Sequence, residues 1–176
     1  MKTKRYLVLI ITMGILSVSG FAQKAATGTP KADPAKGVRD AFDRLIEGLR
    51  QVDAEKLMSV YEKNDDILFF NQNGSVTRGW QQMKDNRTSS FAKTKNVSLE
   101  PTGVRVELLS PTSAYVSFKW KQQQEYDGKL ESASGRTTLV FKKIGKDWKA
   151  VHLHTSPDNP GPTRPMLDSE RVKTDQ

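Results

Sequence analysis

His152 and His154 are the only histidines in the chain, and they stand two residues apart in the stretch Trp148-Lys-Ala-Val-His-Leu-His-Thr-Ser156. Imidazole titrates near neutral pH, so this pair is the natural candidate for general acid–base work. Two imidazoles at that spacing on a strand can also reach one ion. A protein zinc site needs a third ligand, however, and the motif contains no carboxylate, so no metal is expected. The alternative to both is structural, with each imidazole hydrogen-bonded beneath packed helices. The chain has no cysteine, which removes a thiol nucleophile. No serine–histidine–acid order, phosphate-cradling glycine loop or zinc-protease motif occurs. Any catalysis is therefore expected to be non-covalent proton transfer on a small, mostly apolar substrate, and no cofactor is expected.

The elements that position the pair can be worked out from two turns. Asp127-Gly128 and Gly145-Lys146 read as two-residue hairpin loops. The first pairs Tyr126 with Lys129, and hence Val116 with Leu139, Phe118 with Thr137 and Ala114 with Phe141. The second pairs Ile144 with Asp147, and hence Ala150 with Phe141, His152 with Leu139 and His154 with Thr137. Strand side chains alternate faces, so both histidines are expected on the apolar face that the helices cover. A slip of one residue would reverse this. The opposite face carries Tyr115, Ser117, Thr138, Val140, Val151 and Leu153. It is half apolar, which points to self-association as a homodimer through the outer sheet face, with ordinary solvated surface as the alternative. Arg136 shares that outer face with Lys119.

Upstream, Asp33-Pro34 reads as a helix start. Val38, Phe42, Leu45, Ile46, Leu49 and Val52 then recur at spacings of three and four, the mark of an amphipathic helix. Asp53 reads as the cap of a second, short helix to about Tyr61. Ile67 to Phe70 reads as a buried strand and Asn73-Gly74 as a hairpin turn. Trp80, Met83, Arg87 and Phe91 lie on one face of a third helix that runs to about Lys93. From Val97 the period becomes two. Val97 to Leu109 is a long strand bent across Pro101-Thr102-Gly103. Tyr61, Trp80, Phe118 and Trp120 are candidates to line an apolar ligand pocket, with aromatic core packing as the alternative. Asp65 and Asp66 are expected to cap a loop near its rim.

The length of 176 residues suits one domain. With 36% hydrophobic and 27% charged residues, a globular core is expected between polar flanks. Lys2, Lys4 and Arg5 precede an apolar run from Tyr6 to Val18 and the small residues around Ala22. Residues 1–22 therefore have the layout of a secretory signal peptide, which places the mature chain in the periplasm or outside the cell. The run is shorter than the roughly 20 residues of a membrane span, so no stable membrane anchor is expected, with an uncleaved anchor as the alternative reading. Cleavage would leave 25 basic against 20 acidic residues, a net charge of +5 instead of +8. That surplus is scattered, and nucleic acid is not expected as a partner. Residues 23–33 read as a disordered linker, 34–156 as the folded domain, and 157–176, rich in proline, as a disordered tail.

The order of elements is helix, short helix, small hairpin, helix, then a long curved antiparallel sheet. Together with the Gly79-Trp80 helix start, Gly135-Arg-Thr-Thr138 and the terminal Trp148-Lys-Ala-Val-His-Leu-His-Thr-Ser156, this resembles the SnoaL-like branch of the nuclear transport factor 2-like superfamily from about Pro34 to Pro157. The resemblance implies an α+β fold. In this cone-shaped roll a curved mixed or antiparallel sheet wraps around three N-terminal helices and leaves a pocket at the open end. It also implies dimers through the outer sheet face. Its members range from isomerases, dehydratases and cyclases to transport adaptors and association domains, so the fold does not choose the function. Three readings follow for this chain. It is an exported small-molecule-binding domain, or an enzyme using His154 with His152 or Tyr61, or an association module whose pocket is filled by side chains.

Overall fold

A computed structural model describes residues 33–158. The segments read as signal peptide and as most of the linker and tail lie outside the described residues. Helix α1 spans Lys36–Arg50 and buries Val38, Ala41, Phe42, Leu45 and Ile46, the stripe that the three-and-four spacing marks. It begins two residues later than the Asp33-Pro34 signal indicates. Asp33 instead closes a turn ahead of the helix, its carboxylate accepting from the Ala35 N–H at 2.9 Å, and Ala35 occupies the cap position. Helix α2, Ala54–Ser59, is capped by Asp53, which accepts from the Lys56 N–H at 2.9 Å. The two helices touch at Gly48, where a Cβ would lie 2.7 Å from the Leu57 nitrogen; only a residue without a side chain allows that approach.

Strands β1 (Leu68–Phe70) and β2 (Val76–Arg78) form a small hairpin. Its loop has five residues, closed by the Asn71 N–H donating to the Ser75 carbonyl at 2.9 Å. Asn73-Gly74 is therefore inside a wider loop rather than a two-residue turn. Helix α3 covers Trp80–Phe91, ending before Lys93. Four long strands follow: β3 (Thr94–Ser110), β4 (Ser113–Tyr126), β5 (Lys129–Ile144) and β6 (Asp147–Pro157). The proline that reads as the start of the tail is thus the last residue of β6, paired with Gly135.

The six strands form one sheet in the order β2-β1-β6-β5-β4-β3. All neighbours are antiparallel except β1 and β6, which run parallel. The fold is the α+β cone, with the curved mixed sheet around helices placed early in the chain. The bend at Pro101-Thr102-Gly103 is present. The β3–β4 ladder skips between Thr102 and Arg105, and Gly103 takes a φ of 60°. On the concave side the core contains Phe42, Met58, Phe69, Leu139 and Phe141. Arg50 ties α1 to β3, its guanidinium donating twice to the Leu99 carbonyl at 2.9 and 2.7 Å.

The β4–β5 hairpin follows the two-residue register throughout, from Tyr126↔Lys129 to Ala114↔Phe141. The β5–β6 hairpin does so only as far as Phe141↔Ala150. There a bulge makes Val151 an extra residue, so that Val140 faces His152 and Leu139 faces Leu153. Every side chain beyond the bulge changes face. His152 and His154 are consequently on the outer face, and Leu153 and Thr155 point inward. The expected placement of both histidines on the apolar face, and of Leu153 on the outer one, is reversed. The reversal suits the chemistry, because an aliphatic side chain gains from burial where two imidazoles would each need partners.

Candidate functional site

The cone encloses a cavity of about 350 Å³, within the range of small-molecule sites. Its wall is built from all parts of the domain. Leu45 comes from α1, Met58 from α2, Phe69 from β1, Met83 and Arg87 from α3, and Leu139 from β5. Leu153 and Thr155 line it because the bulge turned them inward. The floor is aliphatic and aromatic, and the rim carries amides and hydroxyls from the β1–β2 loop and from α3, among them Asn71, Asn73 and Asn86.

Three of the four aromatic candidates line this cavity: Tyr61, Phe118 and Trp120. Phe118 packs edge-on to Phe42 with centroids 5.0 Å apart, and Tyr61 packs likewise against Phe69 at 5.0 Å. The Trp120 indole donates to the Thr137 hydroxyl at 3.1 Å, and Thr137 and Thr155 share a hydrogen bond. Gly135 makes room for this indole, since a Cβ there would meet Trp120 Cζ2 at 2.6 Å. The fourth candidate, Trp80, is not part of the wall. Its indole donates to the Met58 carbonyl at 2.9 Å, and the Lys63 and Lys84 ammonium groups lie 5.3 Å from its ring centroid. Trp80 is thus the clamp between α3 and α2, fully engaged in holding them together.

The histidines lie across the sheet from the cavity. His152 is half-buried and His154 exposed. Both stand edge-on to Phe70, with centroids 5.3 and 5.6 Å away. His154 borders a shallow outer depression with Ser117, Lys119, Arg136, Thr138 and Ser156. Tyr61 and the histidine pair therefore cannot act on one substrate, because the sheet separates them. Asp65 and Asp66 are exposed in the loop before β1, and Asp66 pairs with Arg78 at 3.2 Å. Among the described residues no three of His, Asp and Glu come together to hold a metal ion, and no helix is long and apolar enough to cross a membrane.

Two titratable side chains line the cavity, and burial acts on both. Tyr61 is pushed well above the ordinary phenol range by loss of solvent, with the positive charge of Arg87 pulling weakly the other way. It is a neutral phenol at any physiological pH. Arg87 is drawn below its usual range by burial, with Tyr61 opposing, and a guanidinium remains protonated all the same. Among the described residues no buried polar atom lacks a partner and no protein group bonds the Tyr61 hydroxyl, so that hydroxyl opens onto the cavity. Neither a carboxylate nor an imidazole is among the described lining residues. Arg87 is visible in the sequence as one position on the Trp80-Met83-Arg87-Phe91 face of α3. Nothing in that spacing separates a cavity-lining cation from one lying flat on the surface.

Similar proteins agree on the fold and spread widely in description. A nuclear transport factor 2-like superfamily protein from Salmonella enterica serovar Typhimurium is 20% identical, with 77% of this chain and 95% of that chain covered and a TM-score of 0.64. A ketosteroid isomerase-like protein from Erwinia carotovora atroseptica is 15% identical over 74% of this chain and 100% of that chain, at 0.63. A candidate dehydratase of the NTF2-like family from Streptomyces avermitilis is 20% identical over 72% and 96%, at 0.64. At these identities the likeness carries the fold alone. No curated protein matches the chain. The SnoaL-like domain family matches residues 38–160, most of the chain and nearly all of the described fold, and the protein belongs to that family.

Proposed function

We propose that this domain binds a small, largely apolar molecule in the cavity of the cone and holds it without transforming it. The observation that carries this reading is the make-up of the wall. A space of about 350 Å³ has an apolar floor and a polar rim, the usual pattern of a ligand site. Its two titratable groups are a phenol that stays protonated and a guanidinium that stays charged, so neither exchanges a proton readily near neutral pH. The test is titration with the neutral fluorophore N-phenyl-1-naphthylamine. Saturable binding at one site per chain, raising Tm, is the expected result. Ser90→Trp, which places an indole at the half-buried rim, should abolish that binding without lowering the stability of the free protein. Binding that persists unchanged in Ser90→Trp rules the cavity out as the site.

The layout of residues 1–22 favours action after export. N-terminal sequencing of the protein recovered from outside the cytoplasm should begin at Gln23, and recovery of an intact Met1 in the cytoplasm opposes this.

A second reading concerns the outer face of the sheet. Tyr115 stands opposite Val140 there, and both keep part of their surface exposed. A second copy of the chain would cover this apolar strip. Light scattering should give twice the chain mass for the wild type and the single mass for Val140→Lys. A monomeric wild type removes this reading and leaves the cavity untouched.

A further inference from the structure

Arg87 is the one charged side chain among the described residues that line the cavity. None of the ion pairs among the described residues includes it. Acids on or beside α3 have other partners. Glu55 pairs with Lys84 at 2.6 Å, and Asp85 accepts from Gln81 at 2.9 Å. No hydrogen bond from Arg87 to a neutral rim group is present among the described residues, where the amide nitrogens are already donating. The Asn71 amide donates to Ser75 and Thr77, both at 3.1 Å, and the Asn86 amide donates to Thr77 at 3.5 Å. Arg87 is half-buried, and a partly desolvated cation without a counter-charge carries a cost. Its guanidinium is therefore available to an anion from elsewhere.

We propose, resting on the small-molecule reading above, that the ligand is a monoanion, a carboxylate on an apolar body, and that Arg87 is its anchor. The planar guanidinium matches a carboxylate through two parallel hydrogen bonds. A single cation neutralises one negative charge, so a phosphate dianion would arrive half-compensated. Tyr61 completes the site. Burial keeps its hydroxyl protonated, so it can donate to an anion but cannot compete as one. The apolar body then rests on Phe118, Leu139 and Leu153.

The experiment compares 2-naphthoate with its uncharged counterpart 2-naphthamide by isothermal titration, using the full domain and its variants. Wild type should bind the carboxylate roughly ten- to hundredfold more tightly than the amide, the range of a hydrogen-bonded charge. Arg87→Gln should erase that preference, hold the amide affinity within about threefold, and leave Tm equal or higher, since an uncompensated charge is removed. Arg87→Lys, which keeps the charge but loses the fork, should retain part of the preference and guards against failure of the glutamine variant to fold. Equal affinity for the two probes in the wild type overturns the anchor while leaving the cavity reading intact. A preference that survives Arg87→Gln and disappears in Lys119→Gln/Arg136→Gln places the anion on the outer depression and also overturns it. If neither probe binds and N-phenyl-1-naphthylamine does not bind either, both readings fall together.

Discussion

The β4–β5 and β5–β6 hairpins start alike and end differently. Each is closed by a two-residue turn with glycine at positive φ, 75° at Gly128 and 60° at Gly145. The first then pairs without interruption for the whole length of β4. The second pairs four residues, to Phe141↔Ala150, and then inserts Val151. The turn sets the register of both, but its authority extends only to the first bulge. What lies beyond is decided by burial. In β4 the even positions Ala114, Val116, Phe118 and Trp120 are all apolar and all buried, so nothing is gained by a shift. In β6 the even positions change from Trp148 and Ala150 to His152 and His154, while the odd ones offer Leu153 and Thr155. One extra residue lets the strand keep its best side inward along its entire length.

The comparison is most severely tested by deletion. Removing Ser117 from β4 puts part of Ala114, Val116, Phe118 and Trp120 on the wrong face, and the chain should fail to fold. Removing Val151 from β6 should leave a regular ladder in which Ala150, Leu153 and Thr155 still point inward. That variant should fold, at a cost of about 1–2 kcal/mol for the lost Val151 packing and local twist. Denaturant unfolding of both deletions decides the matter. Collapse of the Val151 deletion would mean that the bulge supplies curvature the cone needs rather than a correction of facing.

Next in size is Gly135, on the strand the two hairpins share. A Cβ would press on the Trp120 ring and on the Ser156 carbonyl. Gly135→Ala should cost about 3 kcal/mol by overpacking, read as a fall in unfolding midpoint with unchanged m-value. A neutral result would show that the indole has room to move.

The inward and outward residues beyond the bulge give a smaller but sharper contrast. Leu153→Asp sets a carboxylate into the cavity wall and should destabilise by about 2 kcal/mol. His154→Asp, on the exposed side, should stay within about 0.5 kcal/mol. The reverse ranking would restore the register in which the histidines are core residues.

These tests also mark what the sequence made legible. The helix stripe of α1, the Asp53 cap, the bend at Gly103 and the complete β4–β5 register follow from local pattern, because turn chemistry and periodicity are properties of neighbouring residues. The cavity aromatics Tyr61, Phe118 and Trp120 were readable as apolar positions facing the helices. Trp80 was misplaced because its partner, the Met58 carbonyl, is 22 residues away and leaves no trace in spacing. The histidines were misplaced because a bulge within a uniform strand has no glycine or proline to announce it at Val151. The change of apolar parity between Ala150 and Leu153 was the available signal. Arg87 was on the right face of α3, but whether a cation lines a cavity depends on the absence of acids from several distant elements.

The smallest effect concerns Tyr61, which reads the part of β6 before the bulge. It bridges to Ala150, the last residue in the turn-set register, and its raised pKa arises chiefly from burial. The sign follows from linkage. Below the ordinary value near 10 the phenol is neutral in both the folded and the unfolded chain, and the environment of Tyr61 contributes no pH dependence. Above it the unfolded chain releases the proton and the folded chain retains it, so stability falls by about 1.4 kcal/mol for each further pH unit. Wild type should therefore lose about 1 kcal/mol more than Tyr61→Phe between pH 10 and pH 11, where lysine titration is common to both. The two curves should coincide below pH 9, since the phenylalanine variant loses no hydrogen bond to a protein group. Parallel curves up to pH 11 would mean that the phenol reaches water freely, and that the cavity at this end of β6 is open solvent rather than an enclosed site.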